Sequence, residues 1–299
     1  MRRCAPLVPV LLLFACGGHA AAPVAPAALQ LPDSTVVLDA TTGAPIGTSE
    51  LLRRIGAADI VLLGEIHDNA VHHEVRGALL TASAAWHPAV VFEQFARTSA
   101  PIPPPAAGAD EEAWLDQHGF DRKNWKWPLH APVVHAAIAS GRSLWGSGLS
   151  REVLRSVVRQ GTGAAPAELA RLIEQVPLDS VATAGIDKEL FEGHCGKLPE
   201  NLVPGMRAAQ EVRDASMTEA LIQAGASGSA WLIAGDGHVR MDMGVPRILR
   251  KVAPPKKLLV IGFVERGTDE AVPGKPAGEK YQLLVVTPPA TREDPCASL

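Results

Sequence analysis

Three short stretches, VLLGEIHDNAVHH (61–73), VVFEQF (90–95) and WLIAGDGHVRMDMGVP (231–246), place carboxylates and imidazoles directly behind apolar runs. Acids and histidines waiting where buried strands end are what a metal, haem or hydrolytic site is made of. Imidazole and carboxylate ligate divalent ions, imidazole ligates haem iron, and both move protons. Glu65, His67, Glu93 and His238 stand out. Any one of them alone reads better as a structural acceptor or an ordinary loop histidine, but four behind apolar runs point to one shared site. Other chemistries leave no trace, since GxSxG, HExxH, the P-loop and GxGxxG are all missing from the sequence.

The elements that must position these groups alternate. VVLDA reads as a strand, SELLRRIG as a helix, DIVLLG as a strand, AVHHEVRGALLTASAA as a helix and AVVFEQF as a strand. After PIPPPAAGADEE (101–112) the pattern breaks into a mostly helical insertion over about 105–228. It resumes with SAWLIAG, the helix VPRILRKV and the strands KLLVIGFVE and YQLLVVTP. Strand–helix alternation with near-continuous apolar strands predicts an α/β fold: a mostly parallel central sheet flanked by helices, with the insertion as a helical cap. Ligands of open α/β sheets bind beyond the carboxyl ends of the strands. The loops carrying Glu65, Glu93 and His238 should therefore open on one edge, with Gly64, Gly235 and Gly237 providing tight exits. The insertion concentrates aromatic residues (Trp114, Phe120, Trp125, Trp127) in a chain only 4% aromatic. Trp125 and Trp127 offer ring faces to a flat ligand, although packing is the commoner role. Trp145 is expected on a short strand returning to the sheet.

Two helices refine the choice. Over 70–85 the apolar stripe Val71, Val75, Ala78, Leu79, Ala82 leaves His72 on its flank and His73 nearly opposite, so His72 is expected in the site and His73 in solvent. Asp68 or Asn69 is placed to cap this helix. Over 205–222 the stripe of Met206, Met217, Ala220 and Leu221 is interrupted by Gln210 and Arg213, with Asp214 on its edge. Polar groups on a burying face need partners. Arg213 either pairs with Asp214 or a sheet carboxylate, or meets an anionic ligand.

Composition and termini bound the setting. The chain has 299 residues and a net charge of −4, which offers nothing to a nucleic acid. Residues 1–15 read as a signal peptide, with Arg2 and Arg3 before an apolar run far short of the ~20 residues that span a bilayer. The run ends Leu13-Phe14-Ala15-Cys16-Gly17, similar to a bacterial lipobox apart from Phe14. Cys16 is then the lipidated first residue, anchoring the protein in the cell envelope, with Gly17 favouring the outer membrane facing the periplasm. The alternative is a secreted protein cut after Ala20, Ala21 or Ala22. Residues 16–35, rich in Ala and Pro, form the tether, 36–290 the domain and 291–299 a polar tail. With Cys4 removed and Cys16 acylated, Cys195 and Cys296 remain as a disulfide pair in an oxidising compartment. Against this stands a thiolate-ligand role for Cys195 beside His194.

Together GEIHDNAVHH, VVFEQF, HCGKLP, MRAAQEVRDASM and AGDGHVRMDMGVP resemble the ChaN family over roughly residues 36–290. These are iron-regulated bacterial lipoproteins described as haem-binding, in a superfamily with the Tiki proteases and erythromycin esterases. The resemblance implies haem as cofactor in iron or haem uptake, held among Glu65, His67, His72, Glu93, Arg213 and His238, with a possible homodimer. The related enzymes imply instead a metal-dependent hydrolase, with Glu65, His67, Glu93 and His238 holding a divalent metal and Glu65 or Glu93 as base. Fold kinship does not choose between the two. The chain departs from any scheme that relies on a tyrosine ligand, since it has one tyrosine, Tyr281, near the C-terminus.

Overall fold

The computed structural model describes residues 28–297 apart from 255, 272, 273 and 295. The expected signal peptide, Cys16 and the first part of the tether lie outside the described residues. Seven strands form one sheet: β1 (Val36–Asp39), β2 (Ile60–Leu63), β3 (Ala89–Ala96), β4 (Leu144–Gly148), β5 (Ala230–Ile233), β6 (Leu258–Glu265) and β7 (Leu283–Thr287). Their spatial order is β1-β7-β6-β2-β5-β3-β4, parallel throughout except for the edge strand β1 against β7. The α/β fold with a mostly parallel sheet is as the alternation of elements predicts. Trp145 stands on β4 at the far edge, in register with Val91.

The four-residue run of β2 shows why this sheet is buried on both faces. Val61 and Leu63 point into one layer, against Leu51 and Ile55 of α1 (Thr48–Gly56) and Val75 and Leu79 of α2 (Ala70–Ala82). Ile60 and Leu62 point into the other, against Met217 and Leu221 of α8 (Val203–Ala224) and Leu249 of α10 (Val245–Val252). Each such side chain contributes about 1.5–3 kcal/mol by leaving water, and truncating Leu63 to Ala should cost about 2–5 kcal/mol.

Between β3 and β4 lie α3 (Glu111–Gln117) and α4 (Ala131–Ala139). After β4 come α5 (Arg151–Gln160), α6 (Ala167–Gln175) and α7 (Ser180–Gly193), followed by α8. Helices α5, α6 and the first half of α8 build a satellite core around Val157, Leu169 and Val212, while the second half of α8 packs on the sheet. A short helix, α9 (Asp236–Val239), follows β5 directly. No helix among the described residues is long and apolar enough to cross a membrane.

The polar tail runs back over the sheet's carboxyl edge. Ala290 N–H donates to Glu265 at 2.8 Å, Arg292 pairs with Asp68 at 2.9 Å and with Glu265 at 2.5 Å, and Cys296 is disulfide-bonded to Cys195.

Candidate functional site

Strands β2, β5 and β3 are adjacent and parallel, with β5 in the middle, so the groups that follow them meet at one edge. Glu65 follows β2 and is buried to 2% exposure. Its Oε1 lies 2.6 Å from His67 Nδ1, 3.0 Å from the Gln94 Nε2 donor and 3.4 Å from His130 Nε2. Its Oε2 accepts from Arg76 Nη2 and lies 3.1 Å from His73 Nδ1. A buried carboxylate is tolerated when it is paired and hydrogen-bonded, and Glu65 is both.

Glu93 sits within β3 and accepts the Gly235 N–H at 2.8 Å through Oε2, while His238 Nε2 stands 3.7 Å from Oε1. On its other side His238 Nδ1 is 2.6 Å from Asp214 Oδ1 of α8. Gly235 keeps a negative φ, so the expected need for unusual backbone angles is replaced by a need for room: a Cβ there would lie 3.1 Å from His67 Nε2 and 3.6 Å from Glu93 Oε2. The structure thus brings Glu65, His67, Glu93 and His238 to one edge. Both His67 and His238 present Nδ1 to a carboxylate, which orients each ring and leaves Nε2 toward the site.

Charge follows from these contacts. Burial alone would raise the Glu93 pKa, but His238, His67, the Gly235 N–H and Arg213 outweigh it and hold the carboxyl below its ordinary range. For His238, burial works against protonation and is outweighed by Glu93 and Asp214, so its pKa is raised. Burial raises Asp214 despite its hydrogen bond to His238. Arg76 is pushed down to about 9 by burial and still carries its charge at neutral pH.

Two expectations for helix α2 are corrected. His72 is fully buried and does not face the site: its Nδ1 accepts the Ile66 N–H at 2.9 Å, and its Nε2 is 2.9 Å from Thr287 Oγ1. It is a strut beneath the Glu65–His67 loop. His73, expected in solvent, is also fully buried: Nε2 donates to the His67 carbonyl at 3.0 Å and Nδ1 lies 2.6 Å from Arg76 Nη2. The physical reason is that α2 has little solvent face, because α4 covers the side away from the sheet. A Cβ on Gly77 would come 2.7 Å from the Pro132 carbonyl. The cap is Asn69, which accepts from Val71 N–H, while Asp68 pairs with Arg292.

His73, Arg76, Gln94 and His130 also stand at this edge and were not read from the sequence as part of the site, while Asp214, expected as a partner of Arg213, pairs with His238 instead. The one signal for Arg76 was a cation between Val75 and Leu79 in an otherwise apolar stretch. Ligand atoms of Glu65, His73 and His130 lie within 4.8 Å of one another, a spacing that suits a metal ion. The place between Glu65 and His73, however, is taken by the guanidinium of Arg76, which contacts both. That buried cluster already holds its cation.

His67 lines two hollows. One, about 520 Å³, is lined by Glu65, Asp214, His238, His194 and Met243. The other, about 560 Å³, is lined by Glu93, Trp125, Ser147 and Arg213. Trp125 stands edge-on to His67 at 4.8 Å, whereas Trp127 packs against Phe120 and His135. Of the alternatives for Arg213, pairing with Asp214 is not seen: its contact among the described residues is Gln210 Oε1 at 3.4 Å, and it faces the hollow. Tyr281 is buried, and its hydroxyl donates to Asp236 rather than entering either hollow.

A family model for haem-binding uptake proteins of the Tiki superfamily, ChaN, matches residues 51–249. A solved structure of cofacial heme binding to ChaN of Campylobacter jejuni aligns with a TM-score of 0.68 and 19% identity. The alignment covers 87% of this chain and 99% of that one, and at this identity the likeness concerns the fold alone. No curated protein matches the chain.

Proposed function

We propose, from the premise that the chain belongs to the ChaN family of haem-binding uptake proteins in the Tiki superfamily, that it binds haem or another iron-bearing ligand at the His67 edge. The observation that carries this reading is the state of His67. Its Nδ1 is 2.6 Å from the buried Glu65 carboxylate, its side chain is 50% exposed, and its Nε2 opens beside Gly235 between the two hollows. An imidazole supported by a carboxylate at one nitrogen and open at the other is the form that ligates iron. The residues fit the group: His67 would hold the iron, Trp125 would stand beside it as an aromatic wall, and Glu93 and His238 would line the approach. Bound there, haem would supply an iron centre. Tyr281 is not available for that role, being buried on Asp236.

A haem titration followed by the Soret band tests the reading. The wild type should give a shifted Soret band, and His67→Ala should lose affinity about 10-fold or more. An unchanged spectrum and affinity in His67→Ala would reject His67 as ligand.

The second reading, a metal-dependent hydrolase, draws on Glu93, held ionised beside a carboxylate-supported His238. In it Glu65 or Glu93 is the base, and a divalent metal held by Glu65, His67, Glu93 and His238 activates water. Metal analysis of the purified protein with hydrolytic turnover would favour it.

The cellular setting belongs to the same proposal: an envelope lipoprotein of iron or haem uptake, anchored through Cys16 in the outer membrane. Release of Cys16→Ser from the membrane fraction would support the anchor; an unmodified N-terminal peptide in the wild type would sink it.

A further inference from the structure

A groove of about 400 Å³ runs between α5 and α8, and its rim is cationic. Arg151, Arg155 and Arg159 recur every fourth residue along α5, and Arg213 faces them from α8. Its floor is apolar, formed by Leu154, Val158, Met206 and Ala209, and no acid lines it. Arg151 is paired with Asp121 at 2.8 Å. Among the described residues Arg155 and Arg159 show no hydrogen bond or ion pair, and Arg213 reaches only the Gln210 amide. Like charges four apart on a helix destabilise it by about 0.2–0.5 kcal/mol per pair, so a stripe of three with little neutralisation is unfavourable until an anion joins it. The chain as a whole is acidic, at −4, which makes the local excess more pointed. The groove also continues into the hollow beside His67: Arg151, Leu154 and Arg213 line both.

We infer that this groove is a carboxylate clamp for the acidic arms of a flat, apolar dicarboxylate of the porphyrin class, whose ring occupies the adjoining hollow. The inference rests on the proposed haem-binding reading for the identity of the ring, but not on iron ligation. Guanidinium groups match carboxylates in planar, paired hydrogen bonds, and the apolar floor receives the edge of the ring. An inorganic anion would gain nothing from that floor. Arg213, which sits between groove and hollow, is the position from which one ligand can touch both.

The test separates clamp from iron site by leaving the iron out. The full chain is titrated, by fluorescence, with iron-free protoporphyrin IX and with its dimethyl ester, in the wild type and in the double variant Arg155→Gln/Arg159→Gln. Both arginines are exposed, and unchanged thermal unfolding checks that the fold is kept. The wild type should bind the diacid about 10-fold tighter than the diester, the scale of one hydrogen bond to a charged group. The preference should weaken with salt, and the double variant should reduce it to less than about 3-fold while leaving diester binding unchanged. Equal binding of diacid and diester by the wild type, failure to bind the diacid, or an undiminished preference in the double variant would overturn the clamp. Diacid binding without a haem Soret shift would sink the iron reading and leave the clamp standing. Haem bound through His67 with no diacid preference would do the reverse.

Discussion

Asp214 of α8 and His238 of α9 are joined by a 2.6 Å hydrogen bond between Oδ1 and Nδ1. The bond links the helical layer to the sheet's carboxyl edge, at the point where α8 passes from the satellite core to the sheet. Asp214→Asn keeps the shape and removes the charge. With one of its two raising carboxylates gone, the His238 pKa should fall, as an NMR titration of its ring protons would read. An unmoved His238 titration would show that Glu93 alone sets its charge.

His67→Ala and His72→Ala should separate cleanly. The first removes a half-exposed group and should affect ligand binding with little effect on stability. The second empties a fully buried site and strands the Ile66 N–H, costing about 2–4 kcal/mol in urea unfolding. Its loss of ligand affinity should be smaller than that of His67→Ala. Equal stabilities of the two variants would contradict the strut role of His72.

Arg76 and Glu65 should be coupled. Arg76→Met leaves the Glu65 carboxylate buried without its cation, a change that costs about 3–5 kcal/mol. Adding Glu65→Gln to it should restore a large part of that loss, since a neutral amide no longer needs the charge. A double-mutant cycle on unfolding free energies measures the coupling, and additive losses would refute it.

Acid should unfold the protein through its histidines. Burial pushes His72 to about 3, His73 to about 4 and His130 to about 2. In each, the folded pKa lies below the unfolded value near 6.5, so the unfolded chain binds more protons as pH falls. Their combined effect is absent above about pH 7, begins near 6.5, and steepens until His73 protonates in the folded state near 4. Once the unfolded chain is charged at all three, stability should fall by about 4 kcal/mol per pH unit from these groups alone. Unfolding free energies between pH 7 and 5 check the slope, and a flat profile would mean that the three rings are charged in the folded state.

The parallel sheet and its edge were legible because strands buried on both faces leave a continuous apolar signature, and because the acids and imidazoles stood immediately behind it. Glu65, His67, Glu93 and His238 needed only the rule that parallel strands share a carboxyl edge. His72 and His73 were read with an amphipathic helix in mind. That reading failed because α4, some 60 residues onward, covers what would have been the solvent face of α2. His130 gave no periodic signal at all, standing at the start of α4 after an irregular stretch. Asp214 was visible as a polar residue on a burying face, yet its partner lay beyond another strand. Contacts set by tertiary packing between distant segments leave little local pattern to read.

The tail that Arg292 and Cys296 fasten to the carboxyl edge has a consequence for the order in which the protein is made. His67 leaves the ribosome more than 200 residues ahead of Arg292, yet Asp68 and Asn69 beside it are fastened to Arg292, Glu265 and Pro288. During synthesis the loop that carries His67 therefore stays incompletely fastened until the chain is nearly finished, and the hollows beside it are among the last features of the molecule to mature. A nascent chain therefore lacks the completed edge, and the binding proposed for it would belong to the finished protein.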